Sequence, residues 1–211
     1  MASLPPLPAN YAAALKLIDE AHARDPNQIP APDGASGTVP YELHYAEKMT
    51  RWLALRCHGA SPVLQLACRA QHFRRWEIPR SAYPMTRPGY LTWRSKLKAQ
   101  AAVQVTELLT SSASISPPIP TEDVARVAAL IRKENLAGDE ETQALEDVAC
   151  LVFLDDQFDG FERKPEIDED KVISILRKTW GKMSAGGREL ALGMELSERA
   201  KALIGKALQG P

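Results

Sequence analysis

Apolar residues recur every three or four positions along most of the chain, and no stretch alternates at a period of two. That pattern predicts helices and no sheet. Tyr11, Ala14, Leu15, Ile18 and Ala21 line one face of a helix over 10–24. Tyr45, Met49, Trp52, Leu53 and Cys57 do the same over 41–58. Ser61-Pro62 supplies an N-cap and a first-turn proline for a third helix, expected to reach Trp76 and to stop before Pro79. Further helices are expected over 90–109, 121–135, 140–158, 169–183 and 197–208, with Thr121 as a cap and Glu122 and Asp123 complementing the macrodipole. Proline interrupts the pattern at 25–40, 77–89 and 111–120. The expectation is an all-α fold of about eight helices, one compact domain over 1–211, with 111–120 (SSASISPPIP) a flexible linker within it.

Composition narrows the class. A chain of 211 residues with 45% hydrophobic and 25% charged positions can bury a full core. The longest apolar run, Val148–Leu154, is too short for a membrane span, and the first ten residues lack the basic and apolar regions of a signal peptide. Cys57, Cys68 and Cys150 are odd in number and widely spaced, so neither a disulfide framework nor a zinc knuckle is expected, and a reducing, cytoplasmic setting is.

Net charge is −1, which gives no global drive toward nucleic acid or membrane. Locally the charge is polarised. Eight basic residues and one acid fall between Arg69 and Lys98, and thirteen acids and two bases between Asp139 and Asp170. The basic block, QHFRRWEIPRSAYPMTRPGYLTWR, interleaves arginines with aromatics across a proline-ordered loop. Arginine offers a planar fork for phosphate or carboxylate, and aromatics beside it pack a ring or bury its stem. Arg74, Arg75, Trp76, Arg80, Tyr83, Arg87, Tyr90, Trp93 and Arg94 are therefore candidates for binding a small anionic ligand.

A second signal is ionisable groups on faces that should be buried. Glu42 steps back onto the stripe of the second helix, whereas His44 shares a face with Glu47, Lys48 and Arg51 and should face solvent. His72 borders the stripe of the third helix, and Asp147 heads the apolar face of 140–158, with Glu146 beside it. A buried carboxylate needs a partner. One imidazole and two carboxylates would suit one divalent ion, Zn, Mn or Fe, held by Glu42, His72 and Asp147. The bland alternative is that each is a satisfied structural group, such as an Asp147 paired with an arginine.

QHFRRWEIPR, GYLTWR, LIRKENL, LEDVACLVFLDDQF and ILRKTWGKMS resemble, in fungal wording, an uncharacterised domain family of fungi and bacteria whose members often carry a glutamyl-tRNA synthetase label. The likeness runs from about Tyr11 to Leu208 and implies no assigned activity. The synthetase label implies a strand pattern and an HIGH signature, and neither is present. A weaker resemblance is to HD-domain metal-dependent phosphohydrolases, which are all-α with ligands on three helices. Glu42, or His44, would stand for the first histidine of that pattern, His72 for the second and Asp147 for the last aspartate, while Phe73 replaces the aspartate that bridges two metals. That likeness implies one metal at most.

Two classes of function remain. In the first, a mononuclear site on Glu42, His72 and Asp147 activates water to hydrolyse a small phosphorylated substrate, with Arg75 stabilising charge and Glu146 as base. In the second, a non-catalytic module binds an anionic ligand, RNA or a protein segment at the arginine loop. A protein partner could instead use the acidic 139–170 segment.

Overall fold

The computed structural model describes residues 2–32, 36–162 and 167–209. In chain order the described residues form α1 (Ala9–His22), β1 (Gln28–Pro30), β2 (Thr38–Pro40), α2 (Tyr41–Arg56), α3 (Pro62–Arg69), α4 (Arg87–Ser111), α5 (Thr121–Arg132), α6 (Glu140–Val152), α7 (Phe158–Glu162), α8 (Glu169–Lys182), α9 (Ala185–Leu192) and α10 (Glu198–Leu208). Most helices start where a side chain accepts an otherwise orphaned first-turn amide. Ser61 accepts from Leu64 at 3.0 Å, Asp139 from Thr142 at 2.8 Å, Asp168 from Lys171 at 2.8 Å and Ser197 from Ala200 at 3.2 Å. Thr121 is the first residue inside α5 and not its cap, which falls on Pro120 with no side-chain bond.

The all-α expectation holds, with one short hairpin where β1 and β2 pair antiparallel and Ile29 faces Val39. Three-residue strands are too short to show a period of two. At the centre α2 packs between α3 and α6, α5 joins α3 to α4, and α1 lies across α2, α3 and α4. Helix α9 rests on α2 and α6, and α8 pairs with α10. Ile18, Met49, Leu53, Leu66, Leu130, Leu145 and Leu151 are wholly buried in the core this makes, at about 1.5–3 kcal/mol for each side chain. The 111–120 segment does not separate two cores, because Ile115 and Ile119 are both buried in this one. Among the described residues no helix is long and apolar enough to cross a membrane.

Three elements differ from the sequence pattern. Helix α3 ends at Arg69 and not near Trp76, and the chain turns through single 3-10 turns at Arg75–Glu77 and Arg80–Ala82. Helix α9 forms over Ala185–Leu192, between the helices expected over 169–183 and 197–208. The expected 140–158 helix is interrupted by a π turn at Phe153–Gln157, whose extra residue rotates the following side chains toward α2. Asp156 then meets His44 Nε2 at 2.6 Å, Asp155 accepts from Lys48 at 3.0 Å and from the Trp52 indole at 3.1 Å, and Gln157 donates to the Tyr41 hydroxyl at 2.6 Å. His44 is consequently buried and not solvent-facing.

Asp147 is the clasp between α6 and α9. It is wholly buried, and its oxygens accept from Arg56 Nε at 2.7 Å, Gln143 at 2.9 Å, and the amide and hydroxyl of Ser184 at 2.8 and 2.5 Å. Ser184 in turn caps α9. The approach requires glycine at 187, where a Cβ would lie 2.7 Å from Asp147 Cγ. Asp147→Ala should therefore cost about 3 kcal/mol through the stranded Arg56 and Ser184 donors, and Gly187→Ala about 1–3 kcal/mol through overpacking. Urea unfolding of the full chain checks both, and a Gly187→Ala chain as stable as its parent would contradict the close approach.

Candidate functional site

The loop between α3 and α4 is built on Glu42. This residue lies in the first turn of α2, its amide donating to Asp25 Oδ2 at 3.0 Å. Its carboxylate is 2% exposed, accepts from the amide of Arg74 at 3.0 Å and the amide of Arg75 at 2.5 Å, and lies 3.2 Å from His22 Nδ1. The other nitrogen of His22 donates to the Arg69 carbonyl at 2.9 Å. A carbonyl only accepts, so that nitrogen carries a proton, and the His22–Glu42 contact shares one more. Burial raises the Glu42 carboxyl above its ordinary range, and the His22 hydrogen bond is the chief opposing influence.

The amides reach Glu42 because the backbone reverses hand twice. His72 has φ 63° and Arg74 φ 49°, left-handed conformations that cost about 1–2 kcal/mol per non-glycine residue. The His72 ring stacks on Tyr45, centroids 4.0 Å apart, and its Nε2 lies 2.8 Å from Arg75 Nη1. A guanidinium has only donors, so Nε2 must accept and the ring proton sits on Nδ1. Nδ1 is buried with no partner among the described residues. Burial first, then Arg75, Arg94 and Lys133, hold the His72 pKa well below its ordinary value, so the ring is neutral. Arg75 lies 4.6 Å over the Trp93 ring, whose indole donates to the Ile78 carbonyl at 2.9 Å.

Beside this turn Lys133 and Lys182 close on one carboxylate, and Arg75, Arg94 and Lys98 are linked to one another and to these lysines by electrostatic influence. Arg94 and Lys98 follow each other by one turn of α4, and Arg94 acts electrostatically on Tyr45, His72, Arg75 and Lys98. Lys133 ends α5 in a left-handed conformation, φ 58°, where glycine is usual. Its ammonium bonds Glu146, and Lys182 reaches the same carboxylate at 3.3 Å from the end of α8. The Glu146 side chain is only 9% exposed. Burial would raise its pKa, but Lys133 and Lys182 outweigh burial and bring it down to about 2. Burial, Lys133 and Arg94 depress the Lys98 pKa, with Glu146 opposing them. Among the described residues neither Arg94 nor Lys98 belongs to an ion pair.

Of the residues expected to bind ligand, Arg75 and Arg94 join this cluster. Arg80 ties the loop together, donating to the carbonyls of Tyr83 at 2.9 Å and Pro84 at 2.8 Å, with Tyr90 and Trp93 beneath its guanidinium at 5.9 and 5.8 Å. Arg74 meets Glu77 at 3.4 Å. Trp76 and Tyr83 are half-buried, and Arg87 is exposed at the start of α4. The metal set does not assemble. Among the described residues no three His, Cys, Asp or Glu side chains are grouped to hold an ion. Glu42 and Asp147 already have their oxygens filled by protein donors, and Asp147 faces α9 through Ser184. Glu146 is ionised and too weak a base for a proton transfer poised near neutrality.

Among the described residues the acidic and basic blocks form no ion pair with each other. Asp155 and Asp156 face α2, Asp139 and Glu141 both pair with Arg126 at 2.8 Å, and Arg69 pairs with Asp19 at 2.5 Å. Sequence reasoning missed Lys98, Lys133 and Lys182 as site residues. The signal that marks Lys133 is its place at a helix end before Glu134-Asn135, where no glycine follows for several residues. Nothing in the local pattern marks Lys182.

Residues 12–204 match the family described as Domain of unknown function (DUF4202). No curated protein and no solved structure matches the chain.

Glu42→Gln should cost about 3 kcal/mol, since an amide NH2 would face one of the two backbone donors. Hydrogen exchange at the Arg74 and Arg75 amides should accelerate with it, and unchanged protection at both would contradict the anchoring. Acid should weaken the fold in two stages. His72 and Glu146 both have native pKa values below their unfolded ones, so the native state binds fewer protons and loses stability as pH falls. The His72 contribution goes first, below about pH 6.5. The Glu146 contribution, about 3 kcal/mol at most, goes between about 4.5 and 2. Unfolding free energies across this range for the parent and His72→Gln are the check, with the upper slope expected only in the parent.

Proposed function

The chain belongs to the DUF4202 family, and from its site we propose that it binds a small anionic ligand, bearing phosphate or carboxylate groups, at the cluster of Arg75, Arg94, Lys98, Lys133 and Lys182. The observation that carries this reading is the closure of Lys133 and Lys182 on the buried Glu146, with Lys98 under its electrostatic influence and both Arg94 and Lys98 without ion-pair partners among the described residues. Like charges gathered at the edge of a core cost free energy unless something of opposite sign completes them. A surface stripe for nucleic acid would set its cations outward along a groove. Here Lys133 is only 11% exposed and converges on Glu146, which suits a compact ligand.

Binding without turnover is the form we favour. A neutral His72 whose Nε2 is taken by Arg75, and an ionised Glu146, leave no acid–base pair tuned near neutral pH. The metal-assisted alternative needs Glu42, His72 and Asp147 on one ion, and two of those three are filled by protein donors. The acidic 139–170 segment lends little to a docking role, since Asp155, Asp156, Glu141 and Glu146 are engaged within the chain.

Calorimetric titration of inorganic phosphate into the full chain tests the reading. Arg94→Met with Lys98→Met should weaken binding at least about tenfold and leave stability within about 0.5 kcal/mol, since neither side chain has a pair to lose. Arg80→Ala should do the reverse, costing about 2 kcal/mol of stability through two carbonyl bonds and its ring contacts while phosphate still binds. Unchanged phosphate binding in the double variant would refute the site.

A further inference from the structure

Glu146 occupies the place that a ligand's own anion would take. It is buried and holds Lys133 and Lys182 together, and it acts electrostatically on Lys98, which has no ion-pair partner among the described residues. We propose that Glu146 is the specificity-determining residue of the cluster, an internal carboxylate that admits dianionic phosphate groups and turns away monoanions such as a lone carboxylate. This rests on the anion-binding reading above.

The argument is one of exchange. A ligand that settles among these cations must draw Lys133 and Lys182 partly away from Glu146, which stays covalently fixed at the site and repels it. A monocarboxylate offers the lysines one charge and two oxygens, the same as the group it would displace, so the exchange gains nothing and adds repulsion. A phosphate monoester carries close to two charges above a pH of about 6 and presents three acceptor oxygens. It can engage Lys133 and Lys182 while also reaching Arg94 and Lys98, which Glu146 leaves unpaired. The geometry on the lysine side fits such sharing. Lys182 is 55% exposed and approaches at 3.3 Å, so it can swing to a ligand, whereas Lys133 is 11% exposed and held against Glu146.

The experiment titrates inorganic phosphate and acetate separately, at a pH of about 8 and matched ionic strength, into the full-length parent, Glu146→Gln, Glu146→Gln combined with Lys133→Met, and Lys98→Met. The parent should bind phosphate and not acetate. Glu146→Gln should bind phosphate at least about tenfold tighter, the scale of one like charge removed from a neighbouring position, and should acquire acetate binding. The double variant removes one charge of each sign and should return to the parent's phosphate affinity. It decides the matter even if Glu146→Gln alone fails to fold, because a cluster in which Lys133 binds ligand and Glu146 is inert predicts strong loss there. Phosphate affinity unchanged or weaker in Glu146→Gln, with Lys98→Met weakening it, would overturn the role of Glu146 and leave the site standing. No phosphate binding by any form would overturn both.

Discussion

A buried carboxylate that accepts two consecutive backbone amides fixes the course of the chain after α3. Glu42 takes the amides of Arg74 and Arg75, and those amides can point inward only because His72 and Arg74 adopt left-handed conformations. The cost of that backbone, about 1–2 kcal/mol at each residue, is offset by charge-assisted hydrogen bonds in a site shielded from water. His22 completes the arrangement, linking Glu42 to the Arg69 carbonyl at the end of α3. Once this turn is set, the His72 ring lies on Tyr45, Arg75 lies on Trp93, and Arg80 can reach the carbonyls of Tyr83 and Pro84. The last contact brings Pro84 so close to α4 that residue 89 must be glycine, since a Cβ there would sit 2.3 Å from the Pro84 carbonyl oxygen.

The charge of the chain is nearly balanced, yet its placement is not. Among the described residues, Asp155 and Asp156 are drawn to α2 and Asp139 and Glu141 to Arg126, while Lys133 and Lys182, at the ends of α5 and α8, are left to Glu146. That imbalance persists because most of these cations are also held by something other than charge. Arg75 has a ring beneath it, Lys133 is held by its helix end, and Arg94 and Lys98 ride a helix anchored by Trp93, Ala101 and Val105 in the core. A cluster maintained this way would need little ordering to take the anion we propose for it.

Part of this was legible in the residues alone. Glu42, His72, Asp147 and Glu146 were identifiable as ionisable groups on buried faces, and Glu42, Asp147 and Glu146 are indeed buried. What their pattern could not say is which way each points. Glu146 and Asp147 are adjacent on α6, about 100° apart around its axis, and one meets Lys133 while the other meets Ser184. The arginines of 74–94 read as one basic block, but the 3-10 turns divide them, sending Arg75 and Arg94 to the cluster and Arg80 to the loop's own carbonyls.

Sequence by itself determined the helical class, the cap at Ser61, and the apolar stripes that became the core, because these depend on neighbours within one or two turns. Only the tertiary structure decided where α3 stops, that α6 gives way to a π turn, and that Lys98, Lys133 and Lys182 converge. Those outcomes depend on partners far away in the chain, Glu42 for the turn at 74–75, Tyr41, His44 and Lys48 for the π turn, and Glu146 for the lysines. A local pattern carries propensity, whereas the energy of a buried charge belongs to whichever distant group comes to face it.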